Sequence, residues 1–575
     1  MNHGPAWLGD GRVRLRLWAP GQERVAVDLD GQGVFVMNRL ADGWFDYETE
    51  AADGQKYRFR INNDLVVPDP AARAQADDVH GWSVLVSPEG YAWRNPEWLG
   101  RAWSDAVIYE VHPGLLGGFA GVTDRLPALS GLGITTLQLM PVNSFSGSRN
   151  WGYDGVLPYA PAGAYGSPDD LKALVDAAHG LGMMVLLDVV YNHFGPDGNY
   201  LPAYAKSFFD EARHTPWGPA IAFGEEPVAR FFIENALYWL ETFRLDGLRF
   251  DAVHAIADNH FLDRLAAEVR ARCPDRHIHL VLENEGNDPD RLSGGYDAQW
   301  NDDFHNVMHV LLTDETSSYY QDFADRPAER LARSLAEGFI YQGEGSPNHD
   351  GRPRGAPSRH LPPTAFVNFL QNHDQVGNRA LGQRLTTLVA PERLMAAMAL
   401  LLMSPQIPML FMGEESGSET PFLFFTDFHD DLADAVREGR RREFAKFPAF
   451  ADPQARAAIP DPNAAPTFEA SRPSPGPDAE SWRQLIATLL RLRRDNLAPH
   501  IDGASSLGAR AIGAKSVQAA WRLGSKTYTV AVNLGEVAAP LCPAPAGPPL
   551  VVVGDRQLNG QIPPASFAAW LAQEP

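Results

Sequence analysis

Cysteine is almost missing from this chain: Cys273 and Cys542 are the only two in 575 residues. That count excludes a disulfide-stapled fold and a zinc site built on thiolates. Positive charge is scarce too, with 49 Lys and Arg against 72 Asp and Glu, a net of −23. Such a chain is a poor partner for phosphate backbones or anionic lipid, which sets aside roles on nucleic acid and at a membrane surface. No apolar run is long. The longest clean one, Leu394 to Met403, is about half a membrane span and reads as a buried helix. The first residues, Met1-Asn2-His3-Gly4-Pro5, offer neither a basic stretch nor an apolar core before a cleavage site. The expectation is a soluble, cytoplasmic protein with neutral ligands. Cys273 reads as buried filler.

What the chain does have is core-forming material: 45% of it is hydrophobic, and 14 Trp are present. Disorder and fibrous classes are excluded. The first hundred residues alternate with period two. Arg12–Trp18, Arg24–Asp28, Gly43–Tyr47 and Lys56–Arg60 are strands separated by turns such as Asp30-Gly31 and Asp53-Gly54, which predicts a small antiparallel β-sandwich. Pro68-Asp69-Pro70 leaves it. From about residue 105 short apolar runs alternate with helical stretches, the pattern of βα units. Eight strands are expected, at 106–110, 134–140, 183–190, 247–251, 278–283, 297–301, 365–371 and 407–412. Most are apolar on both faces, as in a closed parallel barrel. Between them Leu171, Leu174, Val175 and Ala178, and again Phe232, Ala236, Trp239, Leu240 and Phe243, mark helices by their core stripes. Proline-rich residues 343–363 form a long loop, and 451–480 are a linker or a coil packed on the barrel. A helix at 482–494 precedes strands at 519–523, 527–532 and 550–553. The fold class is therefore α/β: a (β/α)8 TIM barrel over 99–497, an N-terminal β-sandwich over 1–98 and a small C-terminal β-domain over 498–575.

Reactive groups in such a barrel belong at the C-terminal strand ends. The third strand ends Asp188-Val-Val-Tyr-Asn192-His193, the fourth Arg249-Phe250-Asp251, the fifth Leu282-Glu283-Asn284, and the seventh Asn372-His373-Asp374. Any one of these acids could simply cap a strand; the joint placement points to chemistry. Two carboxylates facing one point are what glycosidic cleavage needs. Arg249 and Asp251 are two apart and project to one side, so the guanidinium should hold Asp251 ionised, as a nucleophile requires. Glu283 has no cation in its own strand, and an apolar setting with neighbouring carboxylates should raise its pKa, suiting a general acid. Asp374 becomes the third member, facing the developing oxocarbenium charge. His193 and His373 are donors to sugar hydroxyls, although either could be a satisfied core histidine. Tyr153 is placed to stack on a pyranose face.

The segments Asp188–His193, Gly247–His254, Leu282–Glu285 and Phe369–Asp374 resemble, in order, the four signatures of the α-amylase superfamily, glycoside hydrolase family 13. The resemblance implies a retaining mechanism with Asp251 as nucleophile, Glu283 as acid/base and Asp374 as transition-state stabiliser, the first two about 5–5.5 Å apart. Further stretches narrow the likeness: Trp151–Gly155, Ala298–His305, Gln371–Arg379, Phe425–Asp427, Arg437–Phe444, Pro460–Asn463 and, in the sandwich, Leu17–Pro20. They are similar to members that cleave the α-1,4 bond beside the terminal trehalose of a maltooligosyltrehalose. The metabolic partner implied is the synthase that makes that substrate. Implied substrate contacts are Tyr153, Asp154, His193, Arg249, His254, Asp302, Asp303, Phe304, His305, His373, Gln375, Asn378 and Arg379, with no cofactor. The sandwich resembles the immunoglobulin-like, early-set module that precedes branching and debranching enzymes. Asn192 matches a position that holds calcium in many amylases, but the six to eight oxygens calcium wants cannot be assembled, so no metal is expected. The Arg437–Arg442 cluster reads as a solvated helix face. One stretch, His112-Pro113-Gly114-Leu115-Leu116-Gly117-Gly118-Phe119, departs from the family's usual His-Val-Gly-Thr-Phe at a loop expected to border the cleft. A glycogen branching enzyme, an isoamylase-like debranching hydrolase and a non-catalytic glycan-binding scaffold are the rival readings.

Overall fold

Strands that are apolar on both sides must be covered on both sides, and closing them on themselves with helices outside achieves that. The computed structural model of the chain describes every residue except 63, 89, 257, 446, 574 and 575, and describes only the backbone at 448. Its centre is a closed parallel barrel of β1 (Ile108–Val111), β2 (Thr136–Leu139), β3 (Met184–Val189), β4 (Gly247–Phe250), β5 (His279–Leu282), β6 (Ala298–Trp300), β7 (Phe366–Phe369) and β8 (Ile407–Phe411), in chain order. All eight expected strands are present. β8 closes on β1 through the pair Ile108 and Met409. Ile108, Met184, Leu186, Val281, Trp300, Val367, Phe369 and Met409 fill the interior. Some of the outer helices start where the sequence caps them. Before Pro168–Gly180, Ser167 accepts from the Asp170 N–H while the Asp170 carboxylate accepts from the Ser167 N–H. Helix Glu226–Thr242 buries Phe232, Ala236, Trp239 and Leu240 on the barrel.

The N-terminal residues form a four-stranded and a six-stranded antiparallel sheet. Contrary to the expected exit at Pro68–Pro70, the chain returns: Ala74–Gln75 and Ser83–Val84 add two short strands beside Lys56–Ile61. Residues 451–480 carry helices Pro453–Ala457 and Ala465–Ala470, so prolines that read as a linker instead begin helices. The C-terminal sheet has five strands, including Ser505–Gly513 and Ser566–Gln573, which sequence reading did not foresee. Irregular register on either side of Gly508 breaks the alternation of the first, and the alanines of the second lack strand propensity. Among the described residues no helix is long and apolar enough to cross a membrane.

Helix Ala479–Asn496 is fastened to the barrel by Arg493. Its buried guanidinium donates to the carbonyls of Leu402, Ser404 and Gln406 just before β8. Arg493→Ala leaves three interior carbonyls without donors, a cost of about 3 kcal/mol. Calorimetry should therefore show a Tm several degrees lower. An unchanged Tm would mean that water replaces the guanidinium freely.

Candidate active site

Three neighbouring strands deliver one constellation at the C-terminal rim. Asp188 near the end of β3 and Arg249 on β4 are register partners, Asp251 follows β4 directly, and Glu283 follows β5. The Arg249 guanidinium binds all three acids. Nη1 donates to Asp188 Oδ2 at 2.6 Å and to Asp251 Oδ1 at 2.9 Å, and Nη2 lies 3.1 Å from Glu283 Oε2. It rests over the Trp300 ring of β6 at 4.1 Å. Ala252 adopts a left-handed conformation, φ 42°, which turns its N–H onto Glu283 Oε2 at 2.7 Å. A non-glycine residue held there costs about 1–2 kcal/mol, and the strain sits between the two acids. Asp374 enters from the short helix His373–Gly377 after β7. Its side chain is exposed to the cleft and Asn378 Nδ2 donates to it.

These contacts correct two expectations. Arg249 was expected to keep Asp251 ionised. Burial instead pushes the Asp251 carboxyl up to about 8; Arg249 opposes the rise, and Glu283 and Asp188 add to it. Three acids around one guanidinium exceed what it can neutralise, so the site retains a proton that belongs to the coupled group. Glu283 was expected in an apolar setting with no cation in its own strand. It meets a cation from the next strand and a backbone donor. The protein atoms crowding Asp374 behind its exposed edge also raise its carboxyl, with Glu283 adding to the rise and His373 opposing it.

His373 is buried against Glu110 of β1, whose carboxylate accepts from the ring Nδ1 at 2.7 Å and from the His373 N–H at 3.0 Å. Tyr153 stacks on this ring at 5.0 Å and donates its hydroxyl to Asp188 Oδ2 at 2.6 Å. The ring expected to face a sugar is thus also part of the frame. His193 Nε2 shares a hydrogen bond with the Tyr153 carbonyl, and its ring stacks at 4.7 Å on Trp217, which joins the strands of an unforeseen hairpin, Phe209–Thr215 and Gly218–Ile221. Burial pushes the His193 ring down to about 4.

The remaining predicted contacts divide. Asp154 accepts from Asn150 Nδ2 at 2.7 Å, and exposed His254 lies 3.8 Å from Glu285. Asp302 neighbours the acids: burial, then Glu283 and Asp374, hold its carboxyl well above the usual range, and Gln375 Nε2 donates to it at 3.3 Å. Arg379 is turned into a two-pronged pair with Glu315 at 2.8 and 2.9 Å. Asp303, Phe304 and His305 are not brought to the cleft. The Asp303 carboxylate is fully buried and taken by the N–H groups of Ile340 and Tyr341, Asn287 and Arg354; Phe304 lies in the core; His305 bonds the Leu370 carbonyl at 2.6 Å. The helix Asp302–Thr313 begins at that point and turns these three faces inward.

Glu110, Asp188 and Trp300 join the site only through the structure, although Glu110 carries a signal in the sequence: it is a charge inside an otherwise apolar strand. Arg440, expected in solvent, is buried between Phe424 and Phe444 and donates to the Gly377 carbonyl at 2.6 Å, bracing the helix that carries Asp374. The 112–119 loop turns Leu115, Leu116 and Phe119 inward, and buried His112 shares a hydrogen bond with the Asn150 carbonyl. Asn192 is buried, and its side-chain amide has no protein partner among the described residues. Among the described residues no three His, Cys, Asp or Glu side chains gather as metal ligands.

The family model for the alpha amylase catalytic domain matches residues 72–235. A malto-oligosyltrehalose trehalohydrolase of Deinococcus radiodurans is 38% identical over 91% of this chain and 89% of its own length. One of Saccharolobus solfataricus is 41% identical over 76% of this chain and 79% of its own. A crystal structure of a candidate alpha amylase from Salmonella typhimurium superposes with a TM-score of 0.94 at 44% identity, covering 99% of both chains.

Because the folded-state pKa of Asp251 lies above its unfolded value of 3.8, its contribution to stability is greatest below pH 4 and is lost as pH rises toward 8. Asp251→Asn removes that titration. The variant should match the wild type in Tm near pH 4, exceed it by several degrees near pH 8, and gain no more above that. Thermal denaturation at pH 4, 6 and 8.5 checks the trend, and a Tm difference that is flat with pH contradicts it.

Proposed function

The chain belongs to the malto-oligosyltrehalose trehalohydrolase family of α-amylase-type glycosidases, and on that basis we propose that it hydrolyses the α-1,4-glucosidic bond next to the terminal trehalose of a maltooligosyltrehalose. The products are trehalose and a maltooligosaccharide, and the reaction serves trehalose biosynthesis. The observation that carries the site assignment is the single guanidinium gathering Asp251 and Glu283, with Asp374 in the short helix after β7 at the same rim.

In this reading Asp251 attacks the anomeric carbon while Glu283 protonates the departing glycosidic oxygen, so that the bond to the trehalose unit breaks as the glycosyl–Asp251 ester forms. The step requires Glu283 to carry the proton and Asp251 the charge. Water then gives its proton back to Glu283 and its oxygen to the anomeric carbon, freeing Asp251 and releasing a maltooligosaccharide of retained α configuration. Asp374 faces the positive charge that develops on the ring. Arg249 orients both acids, and Tyr153, His193 and His373 line the approach. The reading also includes a cytoplasmic setting and substrate supply by a maltooligosyltrehalose synthase, with no physical association required.

Asp251→Asn and Glu283→Gln should each lower kcat by several orders of magnitude in a trehalose-release assay while keeping the folded circular-dichroism spectrum. Proton NMR of the fresh maltooligosaccharide end should show the α anomer first. New branch points from amylose, with no trehalose released, would instead assign the chain to the transferases.

A further inference from the structure

We propose that Glu110 is a positioning residue for the reaction: buried on β1, it clamps His373 by ring and backbone together, so that the one remaining ring N–H, at Nε2, is presented to the sugar as a charged donor. This deepens the hydrolase reading and rests on it. Glu110 has no exposed surface, and both its oxygens are spent on one residue, Oε1 on Nδ1 at 2.7 Å and Oε2 on the His373 N–H at 3.0 Å. A buried carboxylate with this geometry fixes the tautomer and favours the imidazolium. Nε2 bonds no protein atom among the described residues. Rotation of the ring is blocked by Tyr153 stacked on it and by Trp151 and Trp300 beside it.

The charges around His373 come from every side. Glu110 faces it from β1, Asp188 from β3, Arg249 from β4 and Asp374 from its own helix, with Tyr153 and His112 from the adjoining loops. Burial disfavours a charged ring, but Glu110, with Asp374 adding and Arg249 opposing, raises it above its ordinary value. Without the Glu110 charge burial favours the neutral ring, so the imidazolium gives up its proton at a lower pH.

The test uses full-length wild type and Glu110→Gln, which keeps side-chain size. Histidine-labelled nitrogen NMR, with His373→Asn to assign the signal, should show a doubly protonated ring at pH 7 in the wild type and a ring titrating at least about one unit lower in the variant. On the trehalose-ended substrate, the alkaline limb of kcat/KM should move to lower pH, with roughly tenfold loss or more at pH 7 and recovery toward pH 5. A neutral His373 in the wild type at pH 7, or an equal loss at every pH, overturns the proposal. Should Glu110→Gln not fold, the wild-type resonance decides alone. A wild type that releases no trehalose defeats the hydrolase reading, and the His373 resonance still settles the role of Glu110.

Discussion

Arg249 is surrounded by three carboxylates, and a positive charge in that place is what lets Asp188, Asp251 and Glu283 stand together in a buried rim. Burying one unpaired carboxylate is costly; burying three without a cation would drive the strand ends apart or neutralise them outright. The guanidinium suits this better than an ammonium because its fork reaches two neighbouring strands at once and its flat face can lie on Trp300. Parallel register makes the arrangement available. Asp188 and Arg249 are paired residues of adjacent strands, so no loop has to fold to bring them into contact.

Around this centre the structure is layered. Tyr153 joins Asp188 to His373, Glu110 holds His373 from β1, Arg440 braces the helix that bears Asp374, and the left-handed Ala252 turns a backbone donor onto Glu283. None of these groups is free to move without disturbing its neighbour. The chemistry demands such rigidity, since small displacements of a positioned acid are expensive in rate.

The barrel was legible because its strands are apolar on both faces, a pattern that few other folds tolerate, and because Asp251 and Glu283 each sit one step past such a run. Pairing across strands was less legible. Glu283 receives its cation from β4, and no inspection of β5 alone reveals that. Asp303, Phe304 and His305 follow a strand end just as Asp251 does, yet a helix begins there and its turn carries them inward. Glu110 is the opposite case: a charge in an apolar strand was visible, but its meaning depended on a histidine 263 positions away. The alanine-rich last strand had no local signal, and only its neighbours in the sheet define it.

Arg493 also bears on modularity. The helix Ala479–Asn496 plugs the entry to β8 through three carbonyls, and the Tyr528 hydroxyl of the C-terminal sheet donates to the Met403 carbonyl beside them at 2.7 Å. Barrel and appendage therefore share a seam through the last barrel segment. A chimera that grafts this tail onto another glycosidase must carry the helix and its arginine along with it, since the seam runs through residues that belong to neither part alone.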